Sequence, residues 1–471
     1  MREERDLDIV LKEGGRAAVV GLGASGMAAL RLLKRQGMQL RACDSRGREK
    51  LADRDLQWLE RNSVELALGA HRPESFKDCD LVVLSPGVDQ RQPAFAETGG
   101  GGPLVIGELE LASSLTSTPI AAITGTNGKS TVVSLLSEIL NAAGKGHFLG
   151  GNYGTPLSSY LCDPVDSDWL LLEVSSFQLD TSPGFRPDIG VLLNITPDHL
   201  DRYQDFAAYC ESKFSLFRNQ GTDDLAILNN DDLEISSHLD DLPGRGKRVF
   251  FGRDEGGDLP GVWVSPEGLR LRDMGPGMED MILPLDNPIL AVGINRINSA
   301  AAVAAAIGAG CPLAAIRRGM ATFKSLEHRM AKVARINGVD YLDDSKATNI
   351  GAVAAALAEL AGPVILIAGG REKGSSYEAL VGVVKEKVRA LLVIGEAREA
   401  MVKGFSAYTR VEPCEDMAAA VRRAEELAQT GDTVLLSPAC ASFDMFAGYA
   451  ERGNVFRDAV LALRNKKEVI A

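Results

Sequence analysis

The sequence predicts an α/β protein of three domains, each organised around a largely parallel sheet. Two observations carry that class. Continuous apolar runs of strand length alternate with longer helix-patterned stretches along the whole chain, and strands that are apolar on both faces and separated by helices belong to covered parallel sheets. The length, 471 residues, supplies about three cores at roughly 150 residues each.

In chain order, buried strands are expected at Ala17–Gly21, Leu81–Leu84, Ile120–Thr124, Leu170–Glu173, Ile189–Asn194, Val364–Ala368, Leu391–Ile394 and Val434–Leu436. All are short and apolar, the pattern of a buried strand. Ser130–Asn141 and Ile350–Ala361 carry helical patterns. Phe206–Gln220 also reads as a helix: Phe206, Tyr209, Cys210, Phe214 and Phe217 share one face at about 100° per residue, and Lys213 falls in the middle of that face. An alanine-rich helix is expected at Asn298–Ala309, with Asn295 and Asn298 at its opening and helix capping one role open to Asn298. The glycine- and charge-rich stretch 253–280 is expected to form loops and a hairpin inserted in the middle domain. Seams at Ser113–Pro119 and Thr322–Arg329 divide the chain into domains 1–115, 116–323 and 324–471.

Apolar residues make up 45% and charged residues 24% of the chain, a globular balance that excludes general disorder. The formal net charge of −13 sets the average field against nucleic acid and anionic membranes, so any phosphorylated ligand must be held by local donors. Met1–Lys12 lacks the apolar core of a secretory signal. No apolar run approaches the ~20 residues of a membrane span. Seven cysteines are scattered without a Cys-x-x-Cys pair, which indicates reduced thiols and no zinc site. A cytoplasmic monomer is expected.

Three glycine-rich turns follow strands. In Gly21-Leu-Gly-Ala-Ser-Gly26 small residues let backbone approach a diphosphate at a helix N-terminus, and Asp44, Ser45 and Arg46 at the next strand end are placed for a sugar and base. That turn alone is compatible with NAD, FAD or another nucleotide. The second, Thr124-Gly-Thr-Asn-Gly-Lys-Ser-Thr131, offers backbone N–H groups and Lys129 to phosphates and the hydroxyl of Ser130 or Thr131 to Mg²⁺. It is shorter than a standard P-loop, whose first glycine would fall on Ile123. The third, Ala368-Gly-Gly-Arg-Glu-Lys-Gly374, is either an anion contact through its lysine or a solvated turn.

The second turn resembles the loop of the Mur ligases and folylpolyglutamate synthases. Leu172-Glu-Val-Ser-Ser-Phe-Gln-Leu179, Asn194-Ile-Thr-Pro-Asp-His-Leu-Asp-Arg-Tyr203 and Glu327-His-Arg329 resemble further blocks of that family, in its order. Asp344-Ser-Lys-Ala-Thr-Asn349 and Leu436-Ser-Pro-Ala-Cys-Ala-Ser442 are similar to the D-glutamate-adding branch, where other branches carry Asp-Tyr-Ala-His. The resemblance implies a Rossmann-like N-terminal domain, a central P-loop-type mononucleotide-binding α/β domain and a C-terminal Rossmann-like α/β domain. It also implies an ATP-dependent ligase that joins D-glutamate to UDP-N-acetylmuramoyl-L-alanine through an acyl phosphate, in peptidoglycan precursor synthesis. A Mur or folylpolyglutamate-type ligase with a different amino acid or acceptor is the alternative. An NAD-dependent oxidoreductase would leave Lys129, Glu173 and Lys213 without a role.

Carried over position by position, the resemblance makes Ala24, Ser25, Asp44, Ser45, Arg46, Ser85, Gly87, Asn152 and His199 contacts of the UDP-substrate. ATP falls to Gly125, Thr126, Asn127, Gly128, Lys129, Ser130, Thr131, Asn295, Arg329 and Asp344. Two Mg²⁺ ions would be held by Ser130, Glu173, His199 and a carbamylated Lys213. Lys129, Glu173, His199 and Lys213 are the expected catalytic set. D-glutamate falls to Lys346, Thr348, Lys373, Ser442, Phe443 and Tyr449. Glu173 also ends an apolar run, which aims it beyond a sheet edge as a natural Mg²⁺ ligand. Ile294 stands where the family often has histidine, Phe443 where it often has leucine and Tyr449 where it has phenylalanine.

Overall fold

The structure is a computed structural model, and it describes residues 7–96, 102–200, 202–253, 258–275, 279–374 and 376–468. Three sheets account for its strands. The first holds β1 (Arg16–Val20), β2 (Gln39–Asp44), β3 (Glu65–Leu68), β4 (Leu81–Leu84) and β5 (Leu104–Gly107), ordered β3-β2-β1-β4-β5 and parallel throughout. The order reverses at β1, and ligand crevices form at such switch points. The helix Ala24–Arg35 follows the first glycine turn. A Cβ on Gly26 would lie 1.9 Å from the carbonyl oxygen of Gly21, so only glycine lets helix and turn pack this closely.

The second sheet runs β14-β13-β12-β11-β10-β9-β6-β8-β7. Its strands are β6 (Ile120–Thr124), β7 (His147–Gly151), β8 (Trp169–Glu173), β9 (Ile189–Leu192), β10 (Leu225–Asn229), β11 (Lys247–Arg253), β12 (Gly261–Ser265), β13 (Gly268–Arg272) and β14 (Met281–Leu283). The expected hairpin is β12–β13, and it extends the main sheet, because β12 pairs in parallel with β11. The helix Lys129–Ala142 crosses the helix Leu313–Thr322 so closely that a Cβ on Gly319 would sit 2.6 Å from the Cα of Ile139.

The third sheet comprises β15 (Ala331–Ile336), β16 (Val339–Asp343), β17 (Val364–Gly369), β18 (Val388–Ile394), β19 (Arg410–Pro413) and β20 (Thr433–Leu436), ordered β15-β16-β20-β17-β18-β19. Only the β15–β16 hairpin is antiparallel in it. Its turn, Asn337-Gly338, has φ of +52° and +79°, the geometry that favours asparagine and glycine. Along β17, Val364, Leu366 and Ala368 join one core and Ile365 and Ile367 another, which is why the strand reads as an unbroken apolar run.

Three expected helix boundaries move by two residues or more. The helix from Phe206 ends at Phe214 and tightens into a 3-10 turn at Ser215–Phe217. Ser215 Oγ donates to the Ser212 carbonyl at 2.7 Å, and Leu216 and Phe217 are both buried. The alanine-rich helix starts at Gly293 rather than Asn298, because the N–H of Ile294 finds a partner in the Glu359 carboxylate at 2.7 Å. Asn298 is therefore inside the helix and is no cap. The helix from Ile350 ends at Glu359, ahead of Gly362-Pro363, where proline disfavours continuation.

By contact density the chain forms two compact units. One contains the residues up to Ile195 with Ala207–Asn287 and Arg296–Thr322, and so holds the first two sheets. The other contains Thr196–Phe206, Pro288–Asn295 and the residues from Phe323 onward.

Candidate active site

In the first unit, a cleft of about 500 Å³ opens at the carboxyl ends of β1, β2 and β4. Ala24, Ser25, Asp44, Ser45, Arg46, Ser85 and Gly87 all line it, with Asn152 and Gln178 from the side of the second sheet. Asp44 is buried and accepts the N–H of Leu22 at 2.7 Å and of Arg46 at 2.9 Å. Its oxygens also take the Arg46 guanidinium at 2.9 and 2.8 Å. Burial presses the Asp44 carboxyl upward, but Arg46 and the two N–H groups outweigh it and bring the pKa down to about 2. Asp44 is thus a fixed anion that orients Arg46 and pins the glycine turn. Ser85 Oγ donates to the Gly21 carbonyl at 2.6 Å, closing the turn from the other side.

The phosphate-type loop lies between β6 and the helix Lys129–Ala142, with Gly125 at φ +145° and Gly128 at φ +88°. A Cβ on Gly125 would lie 2.9 Å from Leu193 Cβ, and one on Gly128 would lie 2.6 Å from Asn298 Oδ1. Asn194 braces the loop. Its carbonyl accepts the Thr126 N–H at 2.9 Å, its side-chain oxygen the Asn127 N–H at 2.8 Å, and its amide donates to the Asn127 carbonyl at 3.1 Å. That duty ends β9 at Leu192, short of the expected Asn194. Lys129 Nζ donates to the carbonyls of Gly125 at 2.7 Å and Thr126 at 2.9 Å, so the ammonium stands over the loop mouth.

Glu173 closes β8 and is 2% exposed. One oxygen accepts Ser130 Oγ at 2.5 Å and the other Asn152 Nδ2 at 2.8 Å. This carboxylate therefore joins the phosphate-type loop to the rim of the first cleft. Lys213 is also 2% exposed, and its Nζ lies 4.7 Å from the centre of the Tyr209 ring, whose hydroxyl is 3.0 Å from Thr126 Oγ1. The helical period thus placed Lys213 correctly in the apolar face. Among the described residues no group of three or more His, Cys, Asp or Glu side chains is arranged to hold a metal. The hydroxyl–carboxylate pair of Ser130 and Glu173 nonetheless fits Mg²⁺, which takes few protein oxygens and completes its shell with phosphates and water.

The second unit gathers the other expected residues. Asp198 is buried and accepts Asn349 Nδ2 at 3.2 Å and Lys373 Nζ at 3.4 Å. Lys373 Nζ also reaches Thr348 Oγ1 at 3.4 Å, so the third glycine turn is not merely solvated. Its Arg371 backbone pairs both ways with Ala441 at 2.9 Å. His199 takes φ +56°, its N–H donating to Asp198 Oδ1 at 2.9 Å. Asp201, two positions after His199 in the sequence, lies outside the described residues. Lys346 Nζ stands 3.8 Å from the centre of the Tyr449 ring. Ser442 is buried, whereas Phe443 is 65% exposed. Arg329 is flanked by His328 and Met330, at φ +61° and +46°, and His328 Nδ1 meets Asp343 Oδ2 at 2.6 Å. Burial pushes the Asp344 carboxyl up to about 7, although Ser437 Oγ donates to it at 2.9 Å and the Met330 N–H at 3.3 Å. Asn295 donates to the Ile289 carbonyl at 3.1 Å.

Family models match three consecutive segments: the Mur ligase MurD-like N-terminal domain over residues 15–107, the Mur ligase middle domain over 123–275 and the Mur ligase glutamate ligase domain over 328–440. The chain is 39% identical over 457 residues to the UDP-N-acetylmuramoylalanine–D-glutamate ligase of Desulfosudis oleivorans, covering 96% of this chain and 97% of that one. It is 41% identical over 448 residues to the ligase of the same name from Desulfotalea psychrophila, covering 95% and 96%. The chain belongs to the Mur ligase family.

Solved structures agree at the level of fold. A pseudomurein peptide ligase type C from Methanothermus fervidus superposes with a TM-score of 0.57 at 19% identity, covering 95% of this Mur ligase and 100% of that chain. The UDP-N-acetylmuramate-alanine ligase MurC of Thermotoga maritima does so with 0.54 at 16%, covering 96% and 100%. Within this Mur ligase, Asn298, which the sequence sets at a helix opening, instead lies inside the helix and against Gly128, where a Cβ would stand 2.6 Å from its Oδ1. Sequence reasoning overlooked one buried side chain. Arg452 is wholly buried, and no local pattern in its polar helix marks it.

Proposed function

We propose that this Mur ligase uses ATP and Mg²⁺ to join D-glutamate to UDP-N-acetylmuramoyl-L-alanine. It would act as a cytoplasmic monomer, with residues 1–115 serving the UDP-substrate, 116–323 ATP, and 324–471 the amino acid and part of ATP. The γ-phosphoryl group of ATP passes to the substrate carboxylate, releasing ADP. The amine of D-glutamate then adds to the acyl carbon, loses a proton, and the C–O bond to phosphate breaks to leave the amide.

The roles are those the family resemblance implies, supported within each unit by the contacts described above. Gly125 to Thr131 cradle phosphates, and Lys129 meets the charge of the transferring group, where prepositioned cations act most strongly. Ser130 and Glu173, with His199, would hold Mg²⁺, which supplies charge neutralisation at the phosphoryl oxygens. Ala24, Ser25, Asp44, Ser45, Arg46, Ser85, Gly87 and Asn152 receive the uridine nucleotide. Asn295, Arg329 and Asp344 complete the ATP contacts. Lys346 and Lys373 answer the two carboxylates of glutamate, with Thr348, Ser442, Phe443 and Tyr449 around them. The observation that carries the reading is the Ser130–Glu173–Asn152 bridge, which brings the phosphate-type loop and the nucleotide cleft to one carboxylate.

Lys213 enters as a carbamylated lysine orienting a second Mg²⁺. Carbamylation needs the neutral amine, and burial favours that form; ¹³C-bicarbonate NMR of the protein should show a carbamate signal absent from Lys213→Ala. The activity itself is tested by amino-acid-dependent phosphate release with UDP-N-acetylmuramoyl-L-alanine, comparing D-glutamate, L-glutamate, L-lysine and diaminopimelate and weighing the product. Turnover with D-glutamate alone is expected. Turnover with another amino acid only would keep the ATP site and overturn the reading of residues 324–471.

A further inference from the structure

The helix Tyr449–Glu468 carries Arg452 in its first turn, and the side chain is 0% exposed. Its Nε donates to Ser345 Oγ at 3.0 Å and one terminal nitrogen to the Ser345 carbonyl at 2.9 Å. The other terminal nitrogen donates to the carbonyls of Cys440 at 3.1 Å and Gly369 at 3.5 Å. All these acceptors are neutral. Burial draws the guanidinium pKa down to about 10, and a cation in the first turn of a helix also opposes the helix dipole. A buried cation is an expensive way to fill space, since an apolar side chain of similar volume does so at lower cost. What arginine adds is its fork: fixed donors that impose directions on several oxygens at once.

Those oxygens sit at the bases of three loops. Ser345 directly precedes Lys346, Gly369 opens the turn that leads to Lys373, and Cys440 lies two residues before Ser442. Ser345 Oγ in turn donates to the Tyr449 carbonyl at 2.8 Å, which ties the helix start into the same bracket. We propose that Arg452 is a positioning residue of the amino-acid site, setting the spacing of Lys346, Lys373 and Ser442 without touching substrate. The proposal rests on the assignment of those three residues to the amino acid.

The test is steady-state kinetics on Arg452→Met and Arg452→Lys, with KM measured separately for the amino acid and the UDP-substrate, and thermal melting as a check on folding. For Arg452→Met the amino-acid KM is expected to rise about tenfold or more while the UDP-substrate KM stays within about twofold. Arg452→Lys, which reaches fewer acceptors, should fall between that variant and the parent. If the methionine variant does not fold, the lysine variant carries the same comparison. An unchanged amino-acid KM, or equal changes in both KM values, overturns the proposal. The assay uses whichever amino acid the parent enzyme joins. Failure of the parent with D-glutamate counts against the functional reading alone, and a selective KM effect with the amino acid that is used still supports Arg452.

Discussion

Replacing Gly128 by alanine tests the phosphate-type loop through two separable effects. Gly128 holds φ +88° at the N-terminus of the helix that begins with Lys129 and Ser130, and left-handed backbone costs an L-residue about 1–2 kcal/mol. The new Cβ would also stand 2.6 Å from Asn298 Oδ1 and 3.3 Å from Leu193 Cδ1. Asn298 is 4% exposed, so it cannot yield by swinging into water, and disturbing its buried polar contacts adds about 1–3 kcal/mol. Gly144 provides the control. It lies just past the other end of the same helix at φ +71°, and among the described residues nothing lies within 4 Å of its would-be Cβ. Gly144→Ala therefore carries the backbone cost alone. At about 2–4 °C per kcal/mol for a domain of this size, the additional ~1–3 kcal/mol should make Gly128→Ala melt about 2–12 °C below Gly144→Ala. Phosphate-release kinetics should show the ATP KM raised about tenfold or more for Gly128→Ala and unaltered for Gly144→Ala. Equal melting and equal ATP KM in the two variants would refute the packing of Asn298 over the loop.

Glu173→Gln keeps the shape of the side chain but presents a donor where Asn152 or Ser130 needs an acceptor, and removes the charge expected to meet Mg²⁺. Turnover should fall about a hundredfold or more, with a higher Mg²⁺ requirement in a metal titration; turnover near the parent value would remove Glu173 from the catalytic set. Asp344 makes stability depend on pH: in the unfolded chain it ionises near pH 3.9, but in the folded chain only near 7. The unfolded state sheds the proton first, so this group lowers stability as pH rises from about 4 to 7, by at most about 4 kcal/mol, and adds no further change above. Urea unfolding of the parent and Asp344→Asn across that range should show the slope only in the parent. Lys213→Ala should be nearly inactive and partly rescued by short-chain carboxylates; unchanged turnover would rule out a carbamylated Lys213.

Much of the architecture was legible because burial on both faces writes itself as unbroken apolar runs. Ile120–Thr124 and Leu81–Leu84 are strands over just those residues, and the helix after the phosphate-type loop differs from expectation by one residue at each end. Lys213 was legible for the same kind of reason, since a helical period places a residue on a face without any knowledge of what covers it. The first cleft was half legible. Glycine spacing pointed to Gly21–Gly26 and Asp44, whereas the contribution of Gln178 depends on how the second sheet sits against the first.

What the sequence by itself determined is local: which segments are strands, which turns need glycine, and which loop presents a lysine and hydroxyls at a helix N-terminus. These follow from residue shape and from periods of two and 3.6, which act over a few positions. The tertiary structure alone decided pairings across long separations. Glu359 moves the start of a helix by satisfying the N–H of Ile294, 65 positions away, and Arg452 reaches Ser345 across 107. A lone carboxylate or guanidinium carries no period that could announce its partner. Its role exists only once folding has withdrawn it from water and left it specific oxygens or N–H groups to satisfy.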